Sequence, residues 1–333
     1  MYPQRKHLYI KLEEMRKSKV LVYVTGDRQQ LETKIGADVF DIFTHHLDQI
    51  YKHERISLYL YTRGGDTLAA WSLVNLIRQF TDFLEVIVPS KALSAGTLMS
   101  LGANSIIMTK QATLGPIDPS VNTPLNPQVP DAIPNARIPV SVEDLNAFTE
   151  YCQQTLGQHA SEKEFILLLS EKIHPLVLGK AYRARSQIRM LAKRLLSNQS
   201  HAPDKLDNLL SFLCSESGSH DYTINRREAH DELGLPIEKP DDALYRIIKE
   251  IYDDIAGELE LSTPFQPNNI LAKQNAVEYN LPRALVESVD GGSHCFCSKG
   301  ILTKTQLKND SGILQNAIYD NRVFEGWEQQ NEH

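Results

Sequence analysis

A chain of 333 residues with 41% hydrophobic and 23% charged residues is long enough for one large α/β domain with appendages or for two domains. Its net charge of −7 disfavours a general nucleic-acid partner and an anionic membrane surface. The opening residues Met1-Tyr2-Pro3-Gln4-Arg5-Lys6-His7 lack the apolar core of a secretory signal, and no run approaches the ~18 apolar residues that span a bilayer. A soluble, cytoplasmic protein without membrane insertion is expected.

Residues 19–24 form an apolar, β-branched run closed by Thr25-Gly26-Asp27, which reads as a buried strand. Residues 35–50 place Ile35, Val39, Ile42, Phe43, Leu47 and Ile50 at helical spacing. Residues 56–61 are the next strand, and Thr62-Arg63-Gly64-Gly65-Asp66 turns the chain into a helix over 68–80. A strand over 83–88, a small-residue helix over 94–102 and a strand over 105–108 complete the first third. This alternation predicts an α/β fold with a parallel sheet and crossover helices. In such sheets ligands bind beyond the carboxyl ends of the strands.

Gly115-Pro116-Ile117-Asp118-Pro119 opens a stretch that holds seven of the 16 prolines by Pro139. Proline fixes φ and lacks an N–H, so a loop or lid is expected there rather than a long regular element. Helices are expected from Ser141 to about residue 156, over 165–173, over 182–196 and over 206–214. The basic residues Arg183, Arg185, Arg189, Lys193 and Arg194 spread around their helix and read as a solvated or interfacial face rather than a polyanion site. A short strand over 219–224 leads into a helix that stops at Gly234, and an amphipathic helix covers 245–255. Residues 286–302, with Gly291-Gly292 inside, read as a β-hairpin, and the polar tail beyond Trp327 is expected to fray. The division is a domain over 1–260, with a loop and helical insertion over 116–215, and a small α+β extension over 261–333.

The cysteines Cys152, Cys214, Cys295 and Cys297 include no CxxC. His294-Cys295-Phe296-Cys297 lies in an alternating segment and reads as strand, since a tetrahedral zinc site needs further ligands. No metal and no cofactor are expected.

Two corners carry the chemistry. Ser94, in Lys91-Ala92-Leu93-Ser94-Ala95-Gly96-Thr97, follows an apolar strand and starts an apolar helix. Gly64-Gly65 ends the neighbouring strand, and glycine lets backbone approach a substrate without a Cβ. A hydroxyl at a helix N-terminus beside free peptide N–H groups suits acyl transfer: Ser94 as nucleophile, with Gly64 or Gly65 and Ala95 as oxyanion donors. A plain N-cap is the other reading of Ser94.

The order strand, Gly-Gly turn, helix, strand, Ser-Ala-Gly at a helix start, strand, Gly-Pro-Ile-Asp resembles the Clp/crotonase superfamily. More narrowly it resembles the serine dehydrogenase proteinase (SDH) family, distantly similar to the Clp protease proteolytic subunit and to signal-peptide peptidases. The resembling stretches run from residue 19 to Arg227-Glu228-Ala229 and Gly234-Leu235-Pro236. The resemblance implies a cytoplasmic serine peptidase that hydrolyses peptide or unfolded-protein substrates through an acyl-enzyme, assembled as a homo-oligomer. The implied catalytic order Ser, Asp, His gives Ser94, Asp118 and His220. His174 is a rival base, with Asp221 as its acid. A Ser–Lys dyad would turn to Lys172 or Lys180, because Lys91 is expected to face away. A crotonase-like acyl-CoA enzyme and a non-catalytic interaction protein of the same fold are the alternative functions. No GxxxxGK[ST] loop occurs, so any ATP-driven unfoldase would be a separate chain.

Overall fold

The computed structural model describes the chain apart from residues 118–119, 130–135, 157–161, 198–202, 217–218, 220, 309–313 and 331–333. The apolar runs become strands β1 (Lys19–Thr25), β2 (Arg55–Tyr61), β3 (Phe83–Val88) and β5 (Ser105–Met108), all mutually parallel. Beside β5 lies β10 (Ile237–Glu238), also parallel. Beyond β1 the sheet turns antiparallel through β11 (Ala276–Ser288), β12 (Gly292–Lys308) and β13 (Leu314–Gln330). The eight strands run in the order β10-β5-β3-β2-β1-β11-β12-β13. Short strands β4 (Lys91–Ala92), β6 (Thr113–Leu114) and β9 (Ile224–Asn225) form a second sheet, and β7 (Ser120–Val121) pairs with β8 (Val140–Ser141).

Strands apolar on both faces must be covered on both faces. One face carries α2 (Phe40–Ile50), α3 (Thr67–Ile77), α4 (Ala95–Leu101) and α7 (Pro175–Leu196) over Leu21, Tyr23, Leu58, Leu60, Val86 and Val88. The Tyr23 and Phe43 rings meet edge to face there, with centroids 5.1 Å apart. The other face carries α1 (Tyr2–Arg16) and α10 (Asp242–Glu258) over Val20, Val22, Val24, Tyr59 and Ile87. Helices α5 (Val142–Leu156), α6 (Glu162–Lys172) and α8 (Pro203–Ser211) belong to the stretch between β8 and β9. Helices α9 (Arg226–Asp231) and α11 (Pro267–Leu271) are short connections.

Several expectations are corrected. Helix α1 has no counterpart in the pattern reading. Its apolar residues Tyr2, Leu8, Tyr9 and Leu12 share the buried side with Arg5, which is fully buried. The Arg5 guanidinium is satisfied by Glu287 on β11 at 2.7 Å and by Glu258 (2.7 Å) and Asp254 (3.1 Å) on α10. Tyr9 completes the cluster by donating its hydroxyl to Glu287. Removing one partner of such a buried pair typically costs about 3–5 kcal/mol, so this cluster holds α1 against residues roughly 250–280 positions away in sequence. Among the described residues of the strand expected over 219–224, only Ile224 is strand, as part of Ile224–Asn225. The tail beyond Trp327 is strand as far as Gln330, because β12 offers continuous backbone partners whatever the side chains are. The parallel sheet expected from the strands through residue 108 is present, and β11 to β13 of the C-terminal extension continue it antiparallel beyond β1.

Histidine ties the antiparallel strands to α2. His46, fully buried, has Nδ1 2.7 Å from the Ser288 hydroxyl and Nε2 3.0 Å from His294 Nδ1. Burial, helped by His294 and His45, pushes the His46 pKa down to about 3. A depressed histidine is neutral in the native state, so the unfolded chain binds the extra proton below about 6.5. Stability should therefore fall as pH drops from about 6.5 towards 3, by about 2 kcal/mol between pH 6.5 and 5. Urea unfolding at both pH values checks this against His46→Gln, which should lack that part of the acid dependence.

Candidate active site

Thr62, the residue after β2, brings the two corners together. Its N–H donates to Lys91 O (3.1 Å), and its carbonyl accepts from Leu93 N–H (3.0 Å), so it pairs across Ala92. Its hydroxyl lies 2.6 Å from that of Thr25 and accepts the Gly64 N–H at 2.9 Å. The chain then reverses through Gly64 (φ +108°) and Gly65 (φ +151°), and Asp66 caps α3 by accepting from Ala69 N–H at 2.8 Å.

Gly64 lies against the second corner. A Cβ on it would sit 2.8 Å from Ser94 Cβ, 2.9 Å from Leu93 O and 3.2 Å from Ala95 N. A Cβ on Gly65 would meet the Ile35 backbone nitrogen at 2.5 Å. Only glycine permits both the contact and the left-handed φ.

Ser94 has φ +52° and ψ −114°, a conformation that L-residues avoid. Its side chain makes no cap hydrogen bond to α4, although it occupies the N-cap. Half-buried, it lines a cleft of about 870 Å³ with Gly64, Gly65, Arg63 and Leu93. Ala184, Gln187 and Ile188 of α7 line it too, as do Asp221 and Tyr222. Residues 32–35 also belong to the lining, so Glu32, Lys34, Arg63, Asp66 and Asp221 give it charges of both signs.

Two peptide groups at these corners have their orientation fixed by bonds to their carbonyls. Gly64 O accepts the Ile35 N–H at 2.9 Å, and Ile35 O accepts the Asp66 N–H at 2.8 Å. A trans peptide points its N–H opposite its carbonyl. The first bond therefore turns the Gly65 N–H away from Ile35. Likewise Ser94 O accepts the Leu98 N–H at 3.0 Å, which aims the Ala95 N–H out of the start of α4. Among the described residues, neither Gly65 N–H nor Ala95 N–H has an acceptor. The Gly64 N–H is committed to Thr62.

The remaining candidates fall as follows. Asp118 and His220 lie outside the described residues. Nearby in the chain, Asp221 and Tyr222 line the cleft, and Gly115 packs on Leu93. Thr97 secures that packing, with its hydroxyl 2.7 Å from Gly115 O and accepting the Gly115 N–H at 3.0 Å. His174 caps α7 by accepting from Leu176 N–H at 3.2 Å and is exposed. At 1.5 Å per residue it stands about 15 Å along the helix from Ala184, and it does not line the cleft. Lys172 ends α6 and is exposed, and neither it nor Lys180 lines the cleft. Lys91 is paired with Asp27 at 2.9 Å. Pattern reading did not find the supporting residues Thr62, Ile35 and Thr97; a threonine directly after a strand and before Gly-Gly is the one local signal.

Residues 1–143 match the family of ClpP-like SDH-type serine proteinases. The matched segment holds Gly64, Gly65, Ser94, Ala95 and Asp118, and ends before His174 and His220. An uncharacterized protein of Methanocaldococcus jannaschii is 28% identical over 187 residues, 56% of this chain and 54% of that protein. A second uncharacterized protein of the same organism is 24% identical over 234 residues, 68% of each. The chain thus spans about half the length of the first of these relatives. Among solved structures it is similar to a membrane-bound stomatin-specific protease, 1510-N, in complex with a substrate peptide. That likeness has 15% identity, 63% coverage of this chain, 72% of the other, and a TM-score of 0.38. ClpP1 from Listeria monocytogenes has 13% identity, 70% and 98% coverage, and a TM-score of 0.36. Among the described residues no helix is long and apolar enough to cross a membrane.

The contact between the corners has a stability signature. Gly64→Ala should destabilise by about 2 kcal/mol or more through the clash and the forced φ. Gly179→Ala, in α7 with open space around its Cβ position, should stabilise by about 0.5–1 kcal/mol. Urea unfolding of the two variants checks both signs.

Proposed function

We propose that this chain is a serine peptidase that hydrolyses peptide bonds through an acyl-enzyme on Ser94. The observation that carries the reading is the strained, cleft-lining Ser94 beside two peptide N–H groups, those of Gly65 and Ala95, that have no acceptor among the described residues. In this reading the Ser94 hydroxyl attacks the scissile carbonyl. The negative charge that develops on its oxygen is received by the two N–H groups, whose orientation is already paid for by the fold. Losing one such donor typically costs about 3 kcal/mol of transition-state stabilisation. The positive end of α4 adds to this field.

A base must take the Ser94 proton and return it to the leaving amine. We assign this to His220, oriented by Asp118; the cleft position of Asp221, next in chain, supports the assignment. The distance of His174 along α7 counts against the rival pair with Asp221, and the exposure of Lys172 and Lys180 away from the cleft lining counts against a lysine base. Water then cleaves the ester with the same imidazole acting as base. Peptide or unfolded-protein substrates, a homo-oligomeric assembly and a hydrolase unit over residues 1–260 with its extension over 261–333 belong to the same proposal.

An active-site fluorophosphonate tests it. The wild-type chain should be labelled on Ser94, and Ser94→Ala should abolish labelling. His220→Ala should slow labelling at least a hundredfold, with His174→Ala within about threefold of wild type. Absence of wild-type labelling overturns the peptidase reading, and acyl-CoA turnover in that event would favour the crotonase-like alternative. Loss of labelling in His174→Ala with His220→Ala unaffected would move the base to His174.

A further inference from the structure

Arg283 lies far from Ser94 in sequence, yet it closes a hydrogen-bonded path to the glycine corner. It is the extra residue of a bulge in β11: Pro282 pairs with Cys297 and Ala284 with Phe296, leaving Arg283 without a partner on β12. The bulge frees its carbonyl from the ladder. That carbonyl accepts the Gly26 N–H at 2.8 Å and the Thr33 hydroxyl at 3.1 Å. Its side chain, 10% exposed, reaches the same loop from the other side. Nε donates to Leu31 O at 2.9 Å and one terminal nitrogen to Glu32 O at 2.8 Å. The other terminal nitrogen is held by the Ser298 hydroxyl at 2.9 Å and the Glu325 carboxylate at 2.7 Å, both on the C-terminal strands.

The loop so gripped, residues 26–35, ends on Ile35. Ile35 donates its N–H to Gly64 O, which fixes the peptide between Gly64 and Gly65, and accepts the Asp66 N–H from the next peptide. We propose that Arg283 is a positioning residue for the Gly65 N–H, acting through this loop. The C-terminal strands thereby set the geometry of the oxyanion corner. The catalytic part of this inference rests on the peptidase reading above; the positional part does not. Lysine cannot replace the fork, because one ammonium cannot span the carbonyls of Leu31 and Glu32 while also holding Glu325 in the planar arrangement of a guanidinium.

The test compares wild type, Arg283→Ala, Arg283→Lys and Glu325→Gln by amide hydrogen exchange at Thr33, Ile35 and Asp66, and by steady-state peptide cleavage. Arg283→Ala and Arg283→Lys should raise exchange at Ile35 and Asp66 at least tenfold. They should lower kcat about tenfold with KM within threefold. Glu325→Gln keeps the bonds to the loop and should leave exchange within twofold of wild type. Unchanged exchange at Ile35 and Asp66 in both Arg283 variants overturns the proposal. So does a loss carried wholly by KM. Should Arg283→Ala fail to fold, Arg283→Lys keeps the charge beside Glu325 and decides the matter. A wild-type chain inert to the fluorophosphonate would sink the peptidase reading while the exchange result still decided the positional claim.

Discussion

The rung between Thr62 and the backbone on either side of Ala92 is the constraint from which the site follows. It joins the exit of β2 to the segment that delivers Ser94, so the two corners cannot drift apart without breaking two backbone bonds. Once that rung is set, the space between Gly64 and Ser94 is too small for any side chain at 64. The hydroxyl of Thr62 serves both directions, towards Thr25 on β1 and towards the Gly64 N–H. One residue therefore links the carboxyl end of β1 to the turn that follows β2.

A hydrogen-bond donor stabilises developing charge only if it is already aimed and already unpaired. In the proposed reading both conditions are met because the carbonyl of each relevant peptide, at Gly64 and at Ser94, is bound and the N–H on the opposite side has no acceptor among the described residues. Polarisation along such a chain of bonds strengthens the free donor further. The strain at Ser94 is consistent with this arrangement. Its positive φ is held by the start of α4 on one side and the Thr62 rung on the other, and these contacts offset the ~1–3 kcal/mol such a conformation costs.

What was readable in the sequence is what is local. The runs 19–24, 56–61, 83–88 and 105–108 are apolar on both faces and so declare buried parallel strands. The corners at Gly64-Gly65 and Ser94 were readable for the same reason, since each is a strand, a short turn and a helix start within a dozen residues. Helix α1 was not, because its burial depends on Arg5 meeting Glu287, a pairing no local window contains. The polar β13 gave no alternation to read; it is strand because β12 offers it backbone partners. The role of Ile35 and Arg283 was equally hidden. Each acts through main-chain bonds to residues about 30 and 250 positions away, and no residue-type pattern marks such a bond. Asp118 and His220 came from family resemblance, and lie outside the described residues.

The most direct measurement of the central claim is a crystal structure of the chain reacted with a peptide boronate. Boron should be bound to the Ser94 Oγ, with one boronate oxygen within about 3 Å of both Gly65 N and Ala95 N, the range of a charge-assisted hydrogen bond. A boronate attached elsewhere would contradict the account, as would one on Ser94 whose oxygens point away from both amides.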